Sequence, residues 1–86
     1  MITFEQAKTL TEGQVIYTIK ENKIKEAKIT DIRVFEESSV CPSARCRIFY
    51  KLKGGTLEHV AYVSTSYSIF YLTKEEAAKA LISNDW

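Results

Sequence analysis

Hydrophobic positions in this chain alternate with period two through most of its length, and two short stretches with helical spacing frame the alternation. The first helical stretch is "TFEQAKTLTEG". Thr3 and Gln6 have the spacing of a capping box, Phe4, Ala7 and Leu10 fall on one face, and Gly13 suits a left-handed end to the helix. "QVIYTIK" then alternates, and Val15, Tyr17 and Ile19 are expected to face the core. "ENK" reads as a three-residue turn that sets Ala27 and Ile29 opposite Tyr17 and Val15. Along "IKEAKITDIRVF" the pattern changes phase, because Ala27 and Ile29 share one face while Ile32 and Val34 share the other. A buried set that changes parity within one strand requires a bulge, here near Thr30–Asp31, with Asp31 bonding local backbone.

The loop "EESSVCPS" separates this strand from "ARCRIFYKLK", and Gly54-Gly55 turns the chain into "TLEHVAYV". A two-residue Gly-Gly turn predicts the register: Leu52 faces Leu57, Tyr50 faces His59, Ile48 faces Ala61 and Cys46 faces Val63, all toward the core. After "STSYS", a short strand "IFYL" leads into "TKEEAAKAL". There Thr73 and Glu76 predict a second capping box, and Glu75 an ion pair with Lys79. Ala77, Ala78, Leu81 and Ile82 form a narrow face suited to close packing on a sheet. The helix reads as a lid rather than a recognition element, since it shows only Lys74, Glu75 and Lys79 outward.

Helix, five strands and helix, with a long bent second strand, predict a mainly β (α+β) fold: a five-stranded antiparallel barrel with a short N-terminal helix and a C-terminal helix. "VIYTIKENKIKEAKITDI" followed by "IFYLTKEEAAKAL" resembles uncharacterised small SH3-like barrel proteins of bacteria and their mobile elements. In those, a "VY.I" strand opens the barrel and an aromatic-"TKEEA" segment closes it. The resemblance spans nearly the whole chain and implies a fold; it carries no assigned activity and no functional residues.

The 86 residues bound this to a single domain, residues 1–86, with one core and room for a surface site rather than a deep cleft. An apolar fraction of 45%, a charged fraction of 27% and a net charge of +1 are those of an ordinary globule, and nothing global calls for a nucleic-acid or membrane partner. Met1 runs directly into polar sequence and no stretch reaches the roughly 20 apolar residues of a membrane span, so a cytoplasmic protein is expected. Cys41 and Cys46, in "CPSARC", do not amount to a disulfide framework, and their redox state is left open. With His59 as the only histidine, they complete no four-ligand metal set, and no metal or cofactor is expected.

What remains after the core is assigned is the other side of the Gly-Gly hairpin. Arg45, Arg47, Phe49, Lys51 and Lys53 alternate along one strand, opposite Ser64, Tyr62, Val60, Glu58 and Thr56. Arg47 across from Tyr62 predicts a cation–π contact, and Lys51 across from Glu58 an ion pair. Residues 20–53 carry nine Lys/Arg against five Asp/Glu, which adds a local positive excess. Arg45, Arg47, Phe49, Lys51, Lys53 and Tyr62 are therefore the candidate macromolecule-binding residues, unless a terminal helix covers them. His59, facing inward beside Tyr50, lacks the carboxylate or nucleophile of a catalytic site and reads as a core-edge residue. The Glu36-Glu37 pair reads as solvated, "STSYS" as a hydroxyl-rich turn, and Trp86 as a docking or interface residue. The expectation is a non-enzymatic binding module whose partner is another protein. Nucleic acid bound along the Arg45–Lys53 strand is the alternative, and pairing of the "IFYL" sheet edge with a second copy is left open.

Overall fold

The first hairpin turns on two residues, not three. In the computed structural model, which describes residues 1–35, 44–64 and 68–83, Glu21 and Asn22 both take positive φ (54° and 60°). That is the signature of the two-residue turn whose twist matches its flanking strands. It joins β1 (Val15–Lys20) to β2 (Lys23–Phe35) with Ile16 opposite Ala27 and Val15 opposite Lys28. One residue of register inverts the faces of β1. Ile16 and Thr18 are the buried positions, whereas Val15 is 42% exposed and Tyr17 and Ile19 lie on the other side. The inward polar residue at Thr18 hid the true alternation. Its hydroxyl donates to the Ile69 carbonyl at 2.9 Å, which makes the inward position tolerable and fastens β1 to the segment before β5 (Phe70–Tyr71).

β3 (Arg45–Leu52) and β4 (Glu58–Ser64) complete a curled, half-barrel antiparallel sheet of order β4-β3-β2-β1-β5. The phase change in β2 is a register shift between Ile29 and Asp31 against β3. Asp31 bonds locally, its Oδ1 accepting the Ile32 N–H at 2.9 Å. The β3–β4 ladder has the register set by the glycine pair, from Arg45↔Ser64 to Lys51↔Glu58. It stops there, so the expected Leu52–Leu57 core pair does not form: Leu57 is 70% exposed, while Lys53 N–H turns to the Glu26 carbonyl of β2. Of the two glycines only Gly54 has positive φ; at Gly55 the need is space, since a Cβ would sit 3.2 Å from the Leu52 carbonyl oxygen.

α1 (Phe4–Ala7) is a single turn with both bonds of the Thr3/Gln6 capping box made. It ends well before Gly13, whose positive φ serves the entry to β1 instead, with its N–H on the Ile29 carbonyl. Ile2, Phe4, Ala7 and Leu10 close the concave side of the sheet over Ile16, Ala27, Ile29, Cys46, Ile48, Tyr50, Val63 and Phe70. Tyr50 stacks on His59 with centroids 5.4 Å apart and meets the edge of Phe70 at 5.2 Å. α2 (Lys74–Ser83) starts where Thr73 Oγ1 accepts the Glu76 N–H, and packs on β1, β2 and β5 with Ala77 fully buried. Its packing face takes in Ala77, Ala78, Ala80 and Leu81. Ile82 points away at 86% exposure, and Glu75 and Lys79 make no ion pair within the described chain. No helix among the described residues is long and apolar enough to cross a membrane.

The inverted register makes two predictions. Ile16→Ala should destabilise the fold by about 2–5 kcal/mol in urea melts, while Val15→Ala stays within about 1 kcal/mol; the reverse order would restore the three-residue turn. Replacing Glu21-Asn22 by Asn-Gly should stabilise by about 1 kcal/mol, because Glu in a left-handed conformation carries a steric penalty that the new pair avoids.

Candidate macromolecule-binding face

The bulge in β2 decides which side chains reach the convex side of the sheet. Beyond it, Asp31, Arg33 and Phe35 stand opposite Phe49, Arg47 and Arg45 respectively. These β3 residues in turn stand opposite Val60, Tyr62 and Ser64 of β4. Paired residues share a face, so three rows form across the sheet: Phe35–Arg45–Ser64, Arg33–Arg47–Tyr62 and Asp31–Phe49–Val60. A fourth, Lys28–Lys51–Glu58, lies on the near side of the bulge.

Within these rows two guanidinium groups are held between two rings. Arg45 lies 5.5 Å from the centroids of both Phe35 and Tyr62, and Arg47 lies 5.2 Å from Phe35 and 5.5 Å from Tyr62. Each such contact contributes about 0.5–1 kcal/mol at a partly exposed site. The stacking buries the Nε atoms of Arg45 and Arg47 and leaves both without a hydrogen-bond acceptor. No carboxylate of the described chain pairs with either guanidinium. The two acids on this face are engaged elsewhere: Asp31 Oδ2 accepts from Arg33 Nε at 3.3 Å, and Glu58 Oε2 accepts the Thr30 hydroxyl at 2.7 Å. Arg33 also reaches over Phe49, 6.0 Å from its centroid.

The expected Arg47–Tyr62 contact is thus present, and the expected Lys51–Glu58 ion pair is not, because Glu58 leans across β3 to Thr30. Arg45, Arg47, Phe49, Lys51 and Tyr62 share the face. Lys53 lies just past the end of β3, its ammonium 3.9 Å from Glu26, and lines a cleft with Lys28 of the fourth row, Glu26 and Val15. Phe35, Arg33 and Thr30 complete the face and were not singled out from the sequence. The only signal for Phe35 and Arg33 is their opposite parity to Ile32 and Val34. Joining them to Arg45 and Arg47 needs the β2–β3 register, which the intervening loop conceals.

Neither helix covers this face. α1 closes the concave side, and α2 packs on β1, β2 and β5 without reaching β3 or β4. Phe49 is half-buried by its own neighbours, while Val60 and Tyr62 are 52% and 40% exposed. His59 stacks on Tyr50, and among the described residues no three His, Cys, Asp or Glu side chains cluster to hold a metal ion. Cys46 is fully buried in the core. Glu36, Glu37, Cys41, Thr65, Ser66, Tyr67 and Trp86 lie outside the described residues. Comparison with protein-family models, curated proteins and solved structures finds no match for the chain.

The ring–guanidinium stack is measurable by a double-mutant cycle in urea. Phe35→Leu and Arg47→Met should show a coupling energy of about 0.5–1 kcal/mol. A coupling near zero would mean that ring and cation do not touch.

Proposed function

We propose that this chain is a non-enzymatic binding module, an SH3-like small barrel whose convex β2–β4 face docks on another protein. The strand order and the bulged second strand support the SH3-like reading. The observation that carries the function is the stacked arginine pair. Arg45 and Arg47 are pre-ordered between Phe35 and Tyr62, partly stripped of water, and given no counter-charge by the described residues of their own chain. Arginine and tyrosine held rigid beside apolar neighbours are the residues that dominate protein interfaces, because little side-chain entropy remains to be lost on binding. Phe49 and Val60 supply the apolar centre, and Lys28, Arg33 and Lys51 a cationic rim. The partner surface is accordingly acidic around an apolar contact.

Nucleic acid is the second reading, favoured by the charge of the four described rows: five cations (Lys28, Arg33, Arg45, Arg47, Lys51) against two carboxylates (Asp31, Glu58). Salt separates the two. Phosphate contacts make affinity fall steeply with ionic strength, whereas an aromatic-centred protein interface responds less. In pull-downs from a host extract, Phe49→Asp and Tyr62→Ala should lose partners that wild type retains at moderate salt; identical partner sets would remove the face from consideration. In parallel titrations with single- and double-stranded oligonucleotides, wild type and Arg47→Ala/Lys51→Ala should be equally weak. Tight binding by wild type, lost in the double variant, would give the face to nucleic acid.

A further inference from the structure

The sheet does not close, so it has two edges, and they are treated differently. The β5 edge is only two residues long, and the Phe70 carbonyl already accepts the Ile2 N–H at 2.7 Å. α2 packs beside it. The β4 edge runs seven residues, "EHVAYVS", and among the described residues β3 is its only strand neighbour. Apart from the β3 ladder, no described backbone group bonds to residues 58–63. Exposed edges are usually blunted by lysine, proline, a bulge or a covering element. β4 contains none of the first three, and no described segment pairs with its free side. It also carries two exposed large apolar side chains, Val60 and Tyr62, two positions apart on one face.

We propose that β4 pairs antiparallel with β4 of a second copy about a two-fold axis at Ala61, making one continuous ten-stranded sheet. The pairing is independent of what the convex face binds. A two-fold axis perpendicular to a sheet keeps convex side on convex side, so paired residues must have the same parity, and the register centred on Ala61 uses the whole strand. Ala61 then meets the second copy's Ala61, His59 meets Val63, Val60 meets Tyr62 and Glu58 meets Ser64. The two exposed apolar residues of each copy cover those of the other.

The charges are complementary in the same register. Arg45 and Ser64 share a row within one copy, and the dimer extends that row to Glu58 of the second copy. A small serine stands between the two long side chains, and the strands carrying them are about 10 Å apart across it. Glu58 exchanges the neutral Thr30 hydroxyl for a guanidinium that pairs with no carboxylate of the described residues, a stronger, charge-assisted bond. Each copy thereby supplies a counter-charge that the described residues do not give the other's Arg45.

Sedimentation velocity from micromolar to near-millimolar protein tests the pairing, with a concentration-dependent dimer expected. Glu58→Arg, at an exposed position and with its fold checked by a urea melt, should weaken the dimer by about tenfold or more by setting like charges against each other. Adding Arg45→Glu should restore it. In a Cys41→Ser background, Ala61→Cys should form an intermolecular disulfide on mild oxidation far faster than Thr56→Cys on the neighbouring turn. A wild type that stays monomeric throughout overturns the proposal. So does a dimer that is indifferent to the charge swap or in which Ala61→Cys gains no cross-linking advantage.

Discussion

One irregularity organises this molecule: the bulge between Ile29 and Asp31 in β2. A strand has two faces and its side chains alternate strictly, so a strand this long would otherwise keep one set of residues inward throughout. The extra residue inverts that assignment halfway. Ala27 and Ile29 face the core before it, and Ile32 opposes Ile48 in the core after it. The same inversion sends Arg33 and Phe35 to the convex side. It also bends the strand, so the concave side can be closed by one helical turn and four apolar residues of the N-terminal segment. Without the bulge there is neither a curled core nor a ring beside Arg45.

The two sides of the sheet follow opposite electrostatic rules. On the concave side the two buried polar residues among those described both have partners: the Thr18 hydroxyl donates to the Ile69 carbonyl, and Ser68 accepts the Phe70 N–H. On the convex side the acids are consumed by Arg33 and Thr30, and the two central guanidiniums are left to aromatic faces. Stacking orders an arginine without neutralising it. A buried Nε without an acceptor costs free energy, which the ring contacts on either side partly offset.

Much of the candidate face was readable from the residues alone because its central hairpin is local. Gly54-Gly55 sets the register of Arg45, Arg47, Phe49 and Lys51 against Ser64, Tyr62, Val60 and Glu58 through a short turn, and the ladder keeps it. Lys53 has no partner in β4, because the ladder stops short of it and its backbone joins β2. Phe35 and Arg33 were missed because their place depends on pairing across a long loop, where spacing carries no register. The Lys51–Glu58 pair failed for a related reason: a third strand offered Glu58 the Thr30 hydroxyl, a competitor that no two-strand view contains.

Periodicity, caps and turn chemistry act between residues a few positions apart, and those the sequence by itself determined. The capping box at Thr3, the start of α2 at Thr73, the bulge near Asp31 and the β3–β4 register all belong here. Which face of β1 is inside was decided only by the tertiary structure. "VIYTIK" offers apolar residues on both faces, and the outcome rests on a two-residue turn and on the distant Ile69 carbonyl that accepts from Thr18. The side covered by α2 was decided the same way. Its small-residue face could lie on either surface of a sheet, and packing against β5, β1 and β2 leaves Phe49, Val60 and Tyr62 without a helix over them. Covering a surface takes segments far apart in the chain, and local pattern does not encode where they meet.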